Sequence, residues 1–186
     1  MHTIFRPSRV SASSAAAGSI REVVFGVEDG VVQNMALVAG MVGAQVSHPV
    51  VVLAASINAI AGVLSMSMGT YLSSKAEKDV AIAAGAALTN CRSPRRDALV
   101  MAAAYAVGAL IPLVPFMFGI QTGAAALVVA MALTATALFA LGVLKAVLSG
   151  QRHVRSGMEM LLLASAAGVA GYVIGVLAEA AFGFDI

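Results

Sequence analysis

Two acidic residues, Glu28 and Asp29, stand close to the middle of the first long apolar run of this sequence, residues 21–43. A carboxylate near the centre of a membrane costs several kcal/mol, because hydrocarbon cannot solvate its charge. Carboxylates in such positions bind cations, carry protons or, when protonated, donate a hydrogen bond to a neighbour. We interpret Asp29 as a candidate ion-binding residue, and a buried structural carboxyl is the alternative.

The second apolar run, residues 50–74, contributes Asn58 and Met66 near the depth of Asp29. At 1.5 Å per residue, Asp29 lies roughly 13 Å from the end of its helix, and Asn58 and Met66 of an antiparallel neighbour lie on either side of that depth. Carboxylate and amide oxygens alone suit Mg²⁺, Ca²⁺ or Mn²⁺, whereas an added thioether favours softer metals such as Fe²⁺. Methionine is also a common filler between packed helices, which is the competing interpretation of Met66.

The other acidic residues near these runs are weaker candidates. Glu28 is rotated by about 100° from Asp29, so the two side chains cannot both point straight at one metal ion. Glu77 and Asp79 follow the second run and form either a solvated helix end or a cytoplasmic entrance for the ion. Glu179 lies near the outer end of the last apolar run, where a solvated position is expected.

The composition places these residues in a membrane. Hydrophobic residues make up 60% of the chain and charged residues 11%, and the mean hydropathy is +0.95. A soluble domain of this length is far less apolar. The single cysteine, Cys91, excludes an intrachain disulfide.

Five apolar runs are long enough to cross a membrane, which takes about 20 residues in a helix. They are residues 22–44, 50–74, 97–118, 123–147 and 158–183. An open sheet would leave backbone groups unpaired in lipid, and the alternating pattern of a barrel strand is missing. We therefore predict an all-α integral membrane protein with a flexible cytoplasmic tail, residues 1–19, and one transmembrane domain, residues 20–186.

All eleven Lys and Arg residues fall on one side of this five-helix arrangement. By the positive-inside rule, the N-terminus is cytoplasmic and the C-terminus lies outside or in a lumen. The short outer connections, residues 45–49 and 119–122, predict hairpins of spans one and two and of spans three and four. The longer inner connection is compatible with a helix until Ser93 and Pro94, so we expect the second helix to continue into the cytoplasm and to stop there.

Pairs of small residues recur at helical spacing, namely Gly26 and Gly30, Ala36 and Gly40, and Gly171 and Gly175. Such pairs let helix backbones approach closely, which in lipid is a main source of packing energy. We expect the last pair to pack within the chain. For the first span, packing within the chain and a position at an interface or pore both stay open.

The segment REVVFGVEDGVV, residues 21–32, resembles the Arg-x-x-hydrophobic-x-Gly-hydrophobic-x-Asp-Gly signature of the vacuolar iron transporter family, which includes nodulin-21-like proteins. The second span from Asn58 through Met66 to Ser73 is similar to the second part of that signature. The segment SPRRDALVMAAAYAVGALIPLVPF, residues 93–116, is similar to the family's third span with its Pro-rich exit. The resemblance covers nearly the whole chain after residue 20.

The resemblance implies a homodimer with a metal path between the two copies of the first span. It also implies that Asp29 is the intramembrane metal-binding aspartate and Met66 the pore methionine. Well-studied plant members have a glutamate where Asn58 stands, and many members have an acidic residue where Thr70 stands. Glu28 is the candidate that would restore the lost charge. Many members also insert a Glu- and Met-rich metal-binding domain after the second span, and this chain has a short, basic connection there.

We therefore predict a transporter that moves Fe²⁺ or Mn²⁺ out of the cytoplasm by proton antiport, with no resident cofactor and no nucleic-acid partner. A bacterial inner membrane is expected, and an organellar, vacuolar membrane is the alternative. The competing function is a non-transporting membrane protein in which Asp29 is structural. An intramembrane protease is not expected, because we find no His and no Asp other than Asp29 inside the spans.

Overall fold

The computed structural model describes residues 10–85, 93–120 and 123–183, with side chains from residue 19 onward. Every regular element in these ranges is helical. Five helical segments in them are long and apolar enough to cross a membrane, namely Ser19–Gly43, His48–Ala83, Pro94–Met117, Ala124–Ser149 and His153–Phe182. The prediction of an all-α membrane protein with five spans is confirmed.

The helices in chain order are α1 (Val10–Gly43), α2 (His48–Ala83), α3 (Pro94–Leu110), α4 (Val114–Met117), α5 (Ala124–Ser149) and α6 (His153–Phe182). A 3₁₀ turn at Ile111–Leu113 joins α3 to α4, and these three segments form the third span. Because α1 begins at Val10, residues 10–19 of the predicted tail continue the first helix. Residues 1–9 lie outside the described residues.

The centre of the fold is α1, which packs mainly against α3 and α6 and also contacts α5 and α2. A Cβ added at Gly26 would lie 2.9 Å from the Cβ of Ala104 in α3, and one added at Gly40 would lie 3.1 Å from the carbonyl oxygen of Gly171 in α6. The glycines of the first span therefore serve packing within the chain. Gly171 and Gly175 pack against α1, as predicted.

The helices that the short connections join are not the ones that pack most extensively against each other. A four-residue turn makes α1 and α2 antiparallel neighbours, yet α2 packs more extensively against α3, and α5 packs mainly against α6. A short loop determines the direction of the next helix, whereas small residues determine which helices approach most closely. In this chain the small residues of α1 bring α3 and α6 to it.

Gly171→Ala is expected to destabilise the protein, because the added methyl group would press on the backbone carbonyl of Ala36. Overpacking of this kind costs about 1–3 kcal/mol. Gly69→Ala is the matched control, since no atom lies within 4 Å of a Cβ added at Gly69. There the higher helix propensity of alanine adds up to about 1 kcal/mol of stability. Thermal unfolding in detergent checks the pair, and equal melting temperatures would contradict the close contact of α1 with α6.

The second helix is much longer than a membrane is thick. It spans 36 residues, or about 54 Å, against about 30 Å of hydrocarbon. Its last turns carry Glu77 and Asp79, both exposed, and Gly85 in the left-handed conformation follows its end. The predicted extension is confirmed, but the expectation that Ser93 and Pro94 end this helix is wrong. Pro94 instead opens α3, where the missing N–H of a proline in the first turn costs nothing.

The connection between α2 and α3 is described only in part. Residues 86–92, which include Cys91, lie outside the described residues. Gln121 and Thr122 of the predicted outer connection between spans three and four also lie outside them.

Pro112 interrupts the third span. Because Pro112 has no N–H, it cannot donate the α-helical hydrogen bond to the carbonyl of Gly108. The chain tightens into the 3₁₀ turn at Ile111–Leu113, and the N–H of Ile111 bonds to Gly108 instead. The last carbonyls of a helix lack helical donors and accept hydrogen bonds from elsewhere. The end of α3 therefore offers backbone acceptors to the side chains of neighbouring helices.

Candidate metal site

Four polar side chains of α1, α2 and α3 meet inside the apolar spans. The hydroxyl of Tyr105 donates a hydrogen bond to Oε1 of Gln33, and Nε2 of Gln33 donates to Oδ1 of Asn58 at 3.4 Å. Nδ2 of Asn58 donates to Oδ1 of Asn34 at 3.1 Å, and Nδ2 of Asn34 donates to the carbonyl oxygen of Ala109 at 2.6 Å. These bonds form one continuous series, which we call the amide chain.

Tyr105 is fully buried where the three helices cross. Gly62 of α2 makes room for its hydroxyl, because a Cβ at that position would collide with it. One turn further along α2, Met66 packs against the buried cluster around Tyr105. Asp29 lies one turn before Gln33 on α1, and the side chain of Gln33 accepts the hydrogen bond of the Tyr105 hydroxyl. The helix crossing thus gathers a carboxylate, a hydroxyl, three amides and a thioether.

Three of the four predicted metal-binding residues lie at this crossing. Asp29 is half-buried and precedes Gln33 by one turn on the same face of α1. Asn58, which is bonded to Gln33, lies one turn to one side of Asp29. Met66 is about 12 Å further along the antiparallel α2 and lies to the other side. The order of Asn58, Asp29 and Met66 along the helix axes agrees with the predicted order, and their depth in a membrane and their role as ligands stay predictions.

The fourth predicted residue, Glu28, is half-buried on α1 and is rotated by about 100° from Asp29. The hydrogen bonds of the amide chain do not include it. Gln33, rather than Glu28, is the α1 side chain that accompanies Asp29 at the crossing.

Sequence reasoning missed Gln33, Asn34 and Tyr105. Two adjacent amides inside an apolar run are a usable signal, because polar groups buried in a membrane protein need hydrogen-bond partners. Tyr105 gave no comparable signal, since a lone tyrosine in a span suits a core and a membrane interface equally well. Its role follows from the space that Gly62 leaves on another helix.

Two carboxylates that the sequence placed at the ends of spans are buried inside the protein. Asp97 is 4% exposed and Glu22 is 1% exposed. Oγ of Ser74 donates to Oδ2 of Asp97 at 3.0 Å, and Nη2 of Arg21 lies 3.3 Å from Oε1 of Glu22. Such partners offset part of the cost of burying a charge. The expectation that the spans contain no Asp other than Asp29 is therefore wrong.

Within the ranges that the structure describes, no three His, Cys, Asp or Glu side chains come together as a metal-binding group. A metal ion at Asp29 would therefore take its other donors from amide and thioether groups or from a second copy of the chain. Asn58 and Met66 are the side chains of these types that α2 places at the crossing.

Residues 20–87 and 83–176 match the sequence profile of the VIT family. Vacuolar iron transporter 1 of Tulipa gesneriana is 26% identical over 211 aligned positions, which cover 83% of this chain and 85% of that protein. Vacuolar iron transporter 1 of Oryza sativa subsp. japonica is 27% identical over 209 positions, with 82% of each chain covered. The vacuolar iron transporter of Toxoplasma gondii is 45% identical over 60 residues, or 32% of this chain and 20% of that protein.

The two profile matches meet at residues 83–87, where α2 ends. The alignment with the tulip protein runs over 211 positions although it covers only 83% of the 186 residues of this chain. The tulip protein therefore contains residues that have no counterpart here. Since the profile matches most of its length, the chain belongs to the VIT family, whose members are metal-ion transporters and not enzymes.

Proposed function

We propose that this chain exports a divalent transition metal from the cytoplasm in exchange for protons, with Fe²⁺ as the main substrate and Mn²⁺ as a second one. The observation that carries the proposal is the position of Asp29, a half-buried carboxylate beside the amide chain inside the apolar spans. A buried ionisable residue in a span is a functional feature by default, because its burial is expensive. The name of the plant relatives, vacuolar iron transporter, supports iron as the metal.

The donor groups at the crossing suit such an ion. Asp29 supplies negative charge, Asn58 an amide oxygen and Met66 a thioether, a mixture that accepts Fe²⁺ better than purely hard cations. A carboxylate must be deprotonated to bind a metal, so metal and proton compete for the same oxygens. An arriving ion displaces the proton from Asp29, and a returning proton displaces the ion. This competition is the physical basis of the exchange.

The direction of transport in this proposal follows from the basic residues. The predicted topology puts all eleven on the side to which the end of α2 extends, and the positive-inside rule assigns that side to the cytoplasm. The exposed pair Glu77 and Asp79 stands on this extension and is the proposed cytoplasmic entrance. The N-terminus shares this side, and the C-terminus faces the periplasm of a bacterium or the lumen of an organelle.

A second copy of the chain completes the site. Phe25, Asp29 and Gln33 follow at four-residue spacing along one face of α1, where Phe25 is 52% exposed and Gln33 is also exposed. Hydrocarbon solvates neither an amide nor a carboxylate, so this face needs cover at membrane depth. Two chains joined along this face of α1 would shield the Gln33 amide of each chain from lipid and bring the two Asp29 carboxylates together. Gly26 and Gly30 take no part, because they pack against α3.

Phe25→Cys, in a Cys91→Ser background, is expected to form a disulfide between two copies in lipid vesicles, since it lies on the exposed face beside Asp29. Leu162→Cys on α6 is the matched control, because Leu162 is 64% exposed but lies on another helix. Mild oxidation followed by denaturing gel electrophoresis measures both. Equal crosslinking of the two variants, or a monomer in bilayers, would contradict the shared site.

Metal flux into proteoliposomes tests the proposed function. Fe²⁺, Mn²⁺, Co²⁺ and Zn²⁺ are offered in parallel to the purified protein under an imposed pH gradient, with a pH-sensitive dye in the lumen. We expect Fe²⁺ to move fastest and each metal current to be matched by proton movement in the opposite direction. The absence of flux for all four metals would favour the alternative, a membrane protein in which Asp29 is a structural carboxyl.

A further inference from the structure

The amide chain ends on a group that has only one possible role in a hydrogen bond. The carbonyl oxygen of Ala109 accepts and cannot donate. It lies in the last turn of α3, just before the 3₁₀ turn, where helical donors run out. Its partner at 2.6 Å is the side-chain amide of Asn34, which is fully buried. Asn34 must therefore present its NH₂ group to Ala109.

This requirement passes along the chain of bonds. With its NH₂ group on Ala109, Asn34 presents Oδ1 to Asn58, which must then present its own NH₂ group at 3.1 Å. The Oδ1 of Asn58 is left facing Gln33 at 3.4 Å, on the face of α1 that carries Asp29 one turn away. At the other end, the Tyr105 hydroxyl donates to Oε1 of Gln33 and leaves the Gln33 NH₂ group for Asn58. A hydroxyl can donate or accept, so Tyr105 fits this orientation without requiring it, and the carbonyl of Ala109 is the end that sets the orientation of all three amides.

We propose that Asn34 is a positioning residue that makes Asn58 an oxygen ligand, because it turns the Asn58 carbonyl oxygen, rather than the NH₂ group, toward the face of α1 that carries Gln33 and Asp29. This inference rests on the proposed function. An asparagine has one oxygen and one nitrogen of almost equal size, so either end fits the same space. Only the oxygen attracts a cation. The end of α3, where Ala109 offers its carbonyl, therefore acts through Asn34 of α1 on Asn58 of α2. It determines whether Asn58 offers an oxygen or a nitrogen as the ligand atom.

The test uses the difference between an amide and a carboxylate. Asp at position 58 has two equivalent oxygens, so it presents an oxygen to the cation in either orientation. Asn34→Leu keeps the branching of the side chain at a somewhat larger volume, removes both hydrogen-bonding groups and leaves Asn58 without a set orientation. We expect Asn34→Leu to raise the KM for Fe²⁺ flux and the Kd for Mn²⁺ in detergent by roughly tenfold or more, as is usual when the partner of a metal ligand is lost. In an Asn58→Asp background the oxygen of Asn34 would face a carboxylate oxygen, so the same change should raise neither constant.

Two further variants keep the result interpretable. Asn34→Ala is made in both backgrounds in case leucine is not accommodated, and size-exclusion chromatography reports whether each protein is folded. Thr134→Val is the matched control, because it removes a buried hydrogen-bonding group away from the amide chain. Thr134 is 3% exposed, and its hydroxyl donates to the sulfur of Met35 at 3.5 Å. It should change neither constant in either background.

Each outcome decides the matter. A loss of metal affinity that occurs only in proteins with the natural Asn58 supports the positioning role. An equal loss of affinity with Asn58 and with Asn58→Asp overturns the proposal and makes Asn34 a structural residue. Unchanged affinity in both proteins overturns the proposal as well. Failure of the proposed function is recognised separately, because the Kd for Mn²⁺ would then be insensitive to Asp29→Asn.

Discussion

Asp29→Asn is expected to reduce the flux of Fe²⁺ and Mn²⁺ to the level of empty vesicles, and to abolish metal-driven proton movement with it. Asparagine keeps the volume of the side chain and can still hydrogen bond, but it carries no negative charge and has no proton to exchange. Asp29 is the half-buried carboxylate next to the amide chain, so the ion would lose its main electrostatic partner there. Both losses follow from one change, because metal and proton use the same oxygens. Proteoliposome flux with a luminal pH dye measures them together.

Two variants accompany this experiment. Glu159→Gln removes a carboxylate from α6 whose side chain is 58% exposed, and it should transport normally. Glu28→Gln removes the neighbouring charge that is rotated away from the crossing, and a small effect would exclude Glu28 as the substitute for the missing carboxylate at Asn58. Normal transport by Asp29→Asn would place the metal path elsewhere and leave Asp29 as a buried structural carboxyl.

Met66→Leu is expected to weaken Fe²⁺ transport more than Mn²⁺ transport. Leucine preserves the packing against the Tyr105 cluster, since Leu and Met have similar volumes. The change removes only the soft sulfur donor, which matters less to Mn²⁺ because that ion depends more on oxygen ligands. We expect the KM for Fe²⁺ to rise by about tenfold, or about 1.4 kcal/mol of binding free energy, with a smaller rise for Mn²⁺.

Met68→Leu is the matched control for this selectivity change. Met68 stands two residues further along α2 and is 64% exposed, so its sulfur faces away from the crossing. The ratio of Fe²⁺ to Mn²⁺ transport should therefore fall in Met66→Leu and stay constant in Met68→Leu. An unchanged ratio in both variants would make Met66 a packing residue, the competing interpretation that its sequence position allows.

The sequence by itself determined the structural class, the number of spans and the order of the candidate ligands along their helices. In lipid, a run of about twenty apolar residues can pair its own backbone N–H and C=O groups only as a helix. The spans can therefore be predicted from each segment alone. Depth is equally local, because the rise per residue of a helix is constant. This is why Asn58 was found beside Gln33, one turn from Asp29, with Met66 further along α2 in the predicted order.

Only the tertiary structure decided which side chains meet at that depth. The bonds of the amide chain join residues that are 24 to 75 positions apart, and they depend on how each helix is rotated about its axis. Gln33 and Tyr105 entered the site for this reason, and Gly26 and Gly30 were assigned to contacts with α3 rather than with a second chain. Asp97, which looks like a boundary charge in the sequence, became a buried residue because Ser74 of another helix reaches it. Rotation and choice of neighbour are set by the shapes of several helices together, and no single segment contains that information.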